Sequence, residues 1–203
     1  MNKNIKIGKN KELDKTVILN YPTRRKIKNR ILIIGDNVKI RSGTVIYEGS
    51  HIGNNFESGH NVVIREENMI GNNVSVWSNT VIDYGCLIGN NVKIHANSYI
   101  AQFTTIEDEV FIAPGVIISN DLCPPCTKCM KGPTIKRGAK IGINVTILPH
   151  LIIGEFSLIG AGSVVSKDIP AYSLVYGASA KVVKKVTDIR CKKGIIEKPY
   201  KYA

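Results

Sequence analysis

The chain has 203 residues, and 28 Lys and Arg against 16 Asp and Glu leave a formal net charge of +12. One domain with a full core fits that length, and 22% charged with 43% hydrophobic residues excludes wholesale disorder. No apolar run approaches a membrane span, the first residues are polar, and five cysteines are too few for a disulfide framework, so a reduced, cytoplasmic protein is expected.

The positive balance calls for anionic partners. Nucleic acid is not expected, because the lysines are scattered, Trp77 is the only tryptophan, and no helix-turn-helix, zinc-finger or RNA-stacking signature occurs. Phosphorylated metabolites fit the charge equally well. Aromatics make up only 6%, whereas 31 Ile and 18 Val make up 49 of 203 positions, a β-branched supply that favours strands.

Taken in chain order, Ile7, Leu13 and Leu19 form a first set spaced by six. Tyr21-Pro22-Thr23-Arg24-Arg25 then interrupts it, which predicts an insertion over about 20–33. From Ile34, steps of six reach Ile40, Ile46, Ile52, Ser58, Ile64 and onward to Ile118, and fourteen of the fifteen positions are Ile or Val. Four residues after most of them stands a small or β-branched residue, such as Val38, Thr44, Ser50, Cys86 or Ser98. IGDN at 34 and IGNN at 52, 70 and 88 add an eighteen-residue period.

Three hexapeptides per turn predict a triangular coil. Successive coils stack as parallel strands, Ile points inward, and Gly or Asn turns each corner. The phase breaks after Ile118 and resumes at Ile135, so a loop over 119–134 must be ejected. The predicted β-helix therefore spans 1–170 and an extension over 171–203 caps its open end.

These hexapeptides resemble the left-handed β-helix acyltransferases. SGHNVVIRE (58–66), NVKIHANSYI (91–100), TIEDEVFIAPGVIISND (105–121) and IGAGSVVSKDIP (159–170) are similar to blocks of the N-acetyltransferases of nucleotide-linked amino sugars. Gly177-Ala178-Ser179-Ala180-Lys181 departs from the usual GNPAK-like ending. The resemblance implies an all-β left-handed parallel β-helix, a homotrimer, acetyl-CoA as co-substrate in a groove between adjacent helices, and an ejected loop as a wall of the site. It implies N-acetylation of a UDP- or dTDP-linked amino sugar for surface polysaccharide or glycan assembly. O-acetylation of a hydroxyl acceptor and a non-catalytic scaffold are the alternatives. A γ-type carbonic anhydrase shares the fold but needs an HxxxxH pair, which His51, His60, His95 and His150 do not make.

Acyl transfer from a thioester to an amine needs a neutral amine and donors for the developing oxyanion. Asn97 matches the substrate-facing asparagine of the resembled subgroup, and His95 is a candidate base. His60 and Asn61 are candidates for the same groove. Arg65 and Glu66 are candidates for the diphosphate and a polar group of the sugar, and Asn120 and Asp121 for the acceptor wall. Gly160, Ala161 and Gly162 offer close approach to a pantetheine arm, with Lys167 and Lys181 for the coenzyme phosphates. No metal is assigned, although Cys123, Cys126 and Cys129 have a spacing that can bind zinc.

Overall fold

The computed structural model describes residues 4–200. Three parallel sheets form the faces of a prism. Sheet A begins with Ile5–Ile7, sheet B with Glu12–Leu13 and sheet C with Ile18–Tyr21. The chain visits A, B and C in turn, so each strand pairs with the strand one coil later. Met69 and Ile70 lie beside Leu87 and Ile88, which is the eighteen-residue period seen in the sequence.

The two-residue strands are short because each face is only one hexapeptide long. Ile40, Ile46, Ile52, Ile64, Ile82, Ile94 and Ile100 are all fully buried, and each such burial contributes about 2–3 kcal/mol. Ser58, the one exception in the ladder, is also buried, and its hydroxyl is satisfied by the Arg41 amide at 3.1 Å. Phe56, fully buried two residues earlier, supplies bulk at the other inward position of that coil.

The corners explain the asparagines. Asn37, Asn55, Asn73 and Asn91 on the A/B edge all adopt φ between 56° and 57°. Asparagine tolerates this left-handed conformation. Their side chains also form a ladder, with Nδ2 of Asn37, Asn55 and Asn73 donating to Oδ1 of the next rung at 3.2, 2.7 and 3.0 Å. The IGNN repeat is therefore structural.

Two segments leave the coil. The first coil is offset from the second by 27 residues, with Ile7 beside Ile34, so nine residues beyond the period leave the coil between Tyr21 and Leu32. Ile106 lies beside Ile135, a step of 29, so eleven extra residues leave it after Ile118. Both segments leave from the same corner column, the C/A edge.

The boundary expected at 170 needs correction. Ile169 and Val175 are buried in the core, and Ser173–Tyr176 adds a parallel strand to sheet B beside Leu158–Ile159. The period fails there because Leu158 lies beside Leu174, sixteen residues on, yet inward packing continues. Lys181–Lys185 then turns back antiparallel against Ser173–Tyr176 at the end of sheet B. Among the described residues no helix is long and apolar enough to cross a membrane.

Candidate functional site on two edges of the prism

The structure separates the predicted site residues into two groups. His60, Asn61, His95, Asn97, Gly160, Ala161 and Gly162 occupy the B/C edge, following the sheet B strands that end at Ser58, Ile94 and Ile159. Arg65, Glu66, Asn120, Asp121 and Lys167 occupy the C/A edge, following the sheet C strands that end at Ile64, Ile118 and Val165. Lys181 lies on neither edge; it begins the exposed antiparallel strand. Sheet C separates the two edges.

On the B/C edge, Asn61 and Asn97 are corner residues, with φ of 55° and 59°. They are also rungs of one ladder: Asn61 Nδ2 donates to Asn79 Oδ1, and Asn79 Nδ2 to Asn97 Oδ1, both at 3.3 Å. One coil later the corner is Gly115, so the ladder stops at Asn97 and its NH2 has no side-chain acceptor among the described residues. His95, two residues earlier, is half-buried with its ring 6.3 Å from Trp77 and 5.0 Å from Phe111. Neither of its ring nitrogens has a hydrogen-bond partner among the described residues. His60 differs, because its Nδ1 lies 2.7 Å from the Ser42 hydroxyl.

The glycines at 160 and 162 serve packing and turning. A Cβ on Gly160 would sit 1.9 Å from the Tyr176 ring, so Tyr176 closes over it. Gly162 has φ of 69° with open space around it, which leaves its backbone approachable from solvent.

The C/A edge holds a continuous polar chain that the sequence reading only partly anticipated. Arg25, from the first ejected segment, donates to Glu66 at 3.2 Å and to Glu67 at 3.0 Å, and stacks its guanidinium 3.6 Å over the Tyr84 ring. Arg65 donates to Glu66 at 3.0 Å and lies 3.6 Å from Asp83. Asp83 accepts from the Tyr99 hydroxyl at 2.8 Å and from Gln102 Nε2 at 2.5 Å. Asn120 Nδ2 donates to Gln102 Oε1 at 2.6 Å. Glu66 and Asp83 are both buried, and each carboxylate is matched by guanidinium, hydroxyl or amide donors, as buried polar groups must be.

Burial alone would raise the Glu66 pKa. Hydrogen bonds from Arg65, its own backbone amide and the Thr23 hydroxyl outweigh that and hold it below the ordinary carboxylate value. Burial and the Asp83 carboxylate push the Tyr99 phenol well up, so it stays a donor. The corner itself is fixed from within, since Ser50 Oγ and Asn68 Nδ2 both donate to the Arg65 carbonyl at 2.8 Å.

Asp121 holds the ejected loop. Its two oxygens accept the amides of Cys123 and Cys126 at 2.9 and 2.7 Å. Lys167 is exposed on the same edge beyond that loop.

At the start of the C/A edge, Tyr21, Arg24, Arg25, Tyr47 and Arg65 line a cavity of about 450 Å³. A larger one of about 670 Å³ lies over the outer side of sheet A, between His51, Met69, Leu87 and Arg137. Asp83, Gln102, Tyr84 and Arg25 were missed in the sequence. For three of them the signal was there: eighteen-residue steps from Glu66 reach Tyr84, Gln102 and Asn120, and one such step from Arg65 reaches Asp83.

Comparison with known proteins fits this architecture. Residues 85–120 and 132–167 match the bacterial transferase hexapeptide model, which describes six repeats. The match is interrupted where the loop leaves the coil. The chain carries the hexapeptide repeats of that family, wound as a left-handed parallel β-helix. It is 43% identical over 77 residues to a dTDP-3-amino-3,6-dideoxy-alpha-D-galactopyranose 3-N-acetyltransferase of Aneurinibacillus thermoaerophilus, covering 34% of this chain and 40% of that one. It is 37% identical over 91 residues to the galactoside O-acetyltransferase of Escherichia coli K12, covering 41% of this chain and 45% of that one. The matched stretch thus spans less than half the length of these curated relatives. Among solved structures, the polySia-specific acetyltransferase NeuO superposes over 89% of this chain and 85% of its own, with a TM-score of 0.49 and 22% identity.

Proposed function

We propose that this protein transfers acetyl from acetyl-CoA to the amino group of a nucleotide-linked amino sugar. The observation that carries the reading is the C/A edge. A cavity with three arginines and two tyrosines stands at one end, and the Gln102–Asn120 amide pair at the other. Glu66 and Asn120 are three coils apart, roughly 14 Å at the parallel-strand spacing, a length that suits an extended nucleoside diphosphate sugar. Guanidinium groups suit the diphosphate, tyrosine faces suit a base, and the amide pair suits sugar hydroxyls. Likeness to an amino-sugar N-acetyltransferase supports the same substrate class, and likeness to acetyltransferases generally supports acetyl-CoA as the donor.

In this reading the chemistry belongs to the B/C edge. The sugar amine attacks the thioester carbonyl while the unshared NH2 of Asn97 donates to the developing oxyanion. His95 takes the proton that the nitrogen loses and returns it to the departing thiolate of coenzyme A. Collapse of the tetrahedral intermediate gives the amide and the free thiol. The open backbone at Gly162 and the exposed Lys167 and Lys181 are assigned to the coenzyme.

The two edges flank sheet C and do not meet within one chain. A homotrimer supplies the missing half if the C/A edge of one subunit faces the B/C edge of the next. Outward residues support such an assembly. Sheet A exposes Met69, Leu87 and Ile152, and sheet C exposes Ile18 and Ile117, whereas sheet B points Glu12, Lys39, Glu57 and Lys93 outward. Apolar faces of that extent favour association.

The test is thiol release from acetyl-CoA against UDP- and dTDP-linked 3-amino and 4-amino sugars, with simple alcohols as controls. Turnover with one amino sugar supports the proposal. Turnover with alcohols alone replaces it by O-acetylation, and failure even to bind acetyl-CoA replaces it by a scaffold role.

A further inference from the structure

The ejected loop carries Cys123-Pro124-Pro125-Cys126-Thr127-Lys128-Cys129, which neither edge uses. Cys126 Sγ and Cys129 Sγ lie 2.6 Å apart, Cys129 exposed and Cys126 half-buried. The loop is held so as to keep them there. Asp121 ties down the amides of Cys123 and Cys126, and the His150 ring, through Nε2, hydrogen-bonds the Cys129 carbonyl at 2.8 Å. Closing to a sulfur–sulfur bond of about 2.05 Å moves the side chains by roughly half an ångström.

The two thiols are chemically unequal. The Cys129 thiol donates to Cys126 Sγ, and the backbone amides of Cys129 and Lys128 add to it, so Cys126 is held below the ordinary thiol pKa. Cys129, whose hydrogen bond to Cys126 keeps its own proton in place, is pushed up to about 11. Among the described residues no group of three or more His, Cys, Asp or Glu side chains converges as metal ligands do, so what the loop presents is a pair.

We propose that Cys126 and Cys129 are a redox-active dithiol, closed to an intraloop disulfide by exchange with a low-molecular-weight disulfide. The Cys126 thiolate attacks one sulfur of that molecule, RSSR, forming a mixed disulfide and expelling RS⁻. Cys129, once deprotonated, attacks the Cys126 sulfur and expels the second RS⁻. Two electrons pass from the protein sulfurs to RSSR, and the two thiol protons reach the two RS⁻ through solvent, giving two RSH. The site is independent of the acetyl-transfer reading and lies next to Asn120, whose carbonyl accepts the Lys131 amide at 2.8 Å.

The experiment incubates the native chain with oxidised glutathione, quenches exchange with acid, alkylates the remaining thiols in denaturant so that buried Cys86 is counted, and digests with trypsin. Cleavage after Lys128 puts Cys126 on peptide 94–128 and Cys129 on peptide 129–131, so the disulfide appears as a covalent link between them. The expected result is that link with loss of two alkylatable thiols, retained in Cys123→Ser and lost in Cys126→Ser, while Cys129→Ser accumulates glutathione on Cys126. A link that persists in Cys126→Ser, or five thiols still alkylatable after oxidation, overturns the proposal. So does zinc titration of the reduced chain that protects Cys123, Cys126 and Cys129 together at one ion per chain. Unchanged circular dichroism of each variant establishes that the loop substitutions leave the coil intact.

Discussion

Asn79 donates its side-chain NH2 to Oδ1 of Asn97 at 3.3 Å, and this bond orients Asn97. Its oxygen is engaged from the coil below, while its own NH2 points past the end of the ladder. The same residue holds a corner at φ 59°, so replacing it by alanine would mix backbone strain with loss of a donor. Asn97→Gly separates them, because glycine adopts the left-handed corner without steric strain. We predict a turnover loss of about 10²-fold with an unchanged thermal midpoint, measured by thiol release from acetyl-CoA. A wild-type rate would leave Asn97 as a corner residue only.

Glu66 ties the first ejected segment to the coil. Its folded pKa lies below the ordinary carboxylate value, so the stability it contributes is complete above about pH 4.3 and lost as pH falls through the folded value. Glu66→Gln should destabilise the chain by about 2 kcal/mol at neutral pH. The wild-type advantage should stay flat between about pH 8 and pH 5 and shrink below about pH 4, as read from thermal melts across that series. An advantage that grew on acidification would have the wrong sign for a paired carboxylate.

Tyr176 over Gly160 makes the last coil sensitive to a single methyl group. Gly160→Ala forces the ring aside and should cost about 1–3 kcal/mol. Adding Tyr176→Ser should recover most of that loss, since the clash is with the ring carbons. Chemical denaturation of the single and double variants decides it: purely additive losses would mean that the two residues do not oppose each other.

Arg24 is exposed at the rim of the 450 Å³ cavity and has no ion pair or side-chain hydrogen bond among the described residues. Arg24→Gln should therefore leave folding untouched. It should raise KM for the nucleotide sugar about tenfold, equivalent to 1.4 kcal/mol, with KM for acetyl-CoA unchanged. An equal rise in both constants would move the cavity away from the nucleotide.

Cys86 is a control for thiol chemistry elsewhere. Burial pushes its thiol up to about 12, and its Sγ donates to the Ala101 carbonyl at 3.2 Å. It should resist alkylation in the native chain at pH 8 and react only on unfolding, as peptide mass spectrometry will report.

Much of this was legible in residues spaced by six and eighteen. The Ile34–Ile118 ladder predicted the inward face, and the corner glycines and asparagines the turns. The same arithmetic relates Glu66 to Gln102 and Asn120, although the sequence reading did not follow it along that edge. One eighteen-residue step likewise relates Arg65 to Asp83, on which Arg65, Tyr99 and Gln102 converge. Arg25 was not legible in the same way, because it reaches Glu66 across 41 residues from a segment with no period.

The sequence by itself determined the coil, its three faces and which residues share an edge, because a hexapeptide period is local backbone geometry repeated. Only the tertiary structure decided that the first ejected segment folds back to place Arg25 on Glu66, and that the buried carboxylates Glu66 and Asp83 are paired. Those outcomes depend on contacts between distant segments, where side-chain packing and charge pairing set the arrangement and no period encodes it.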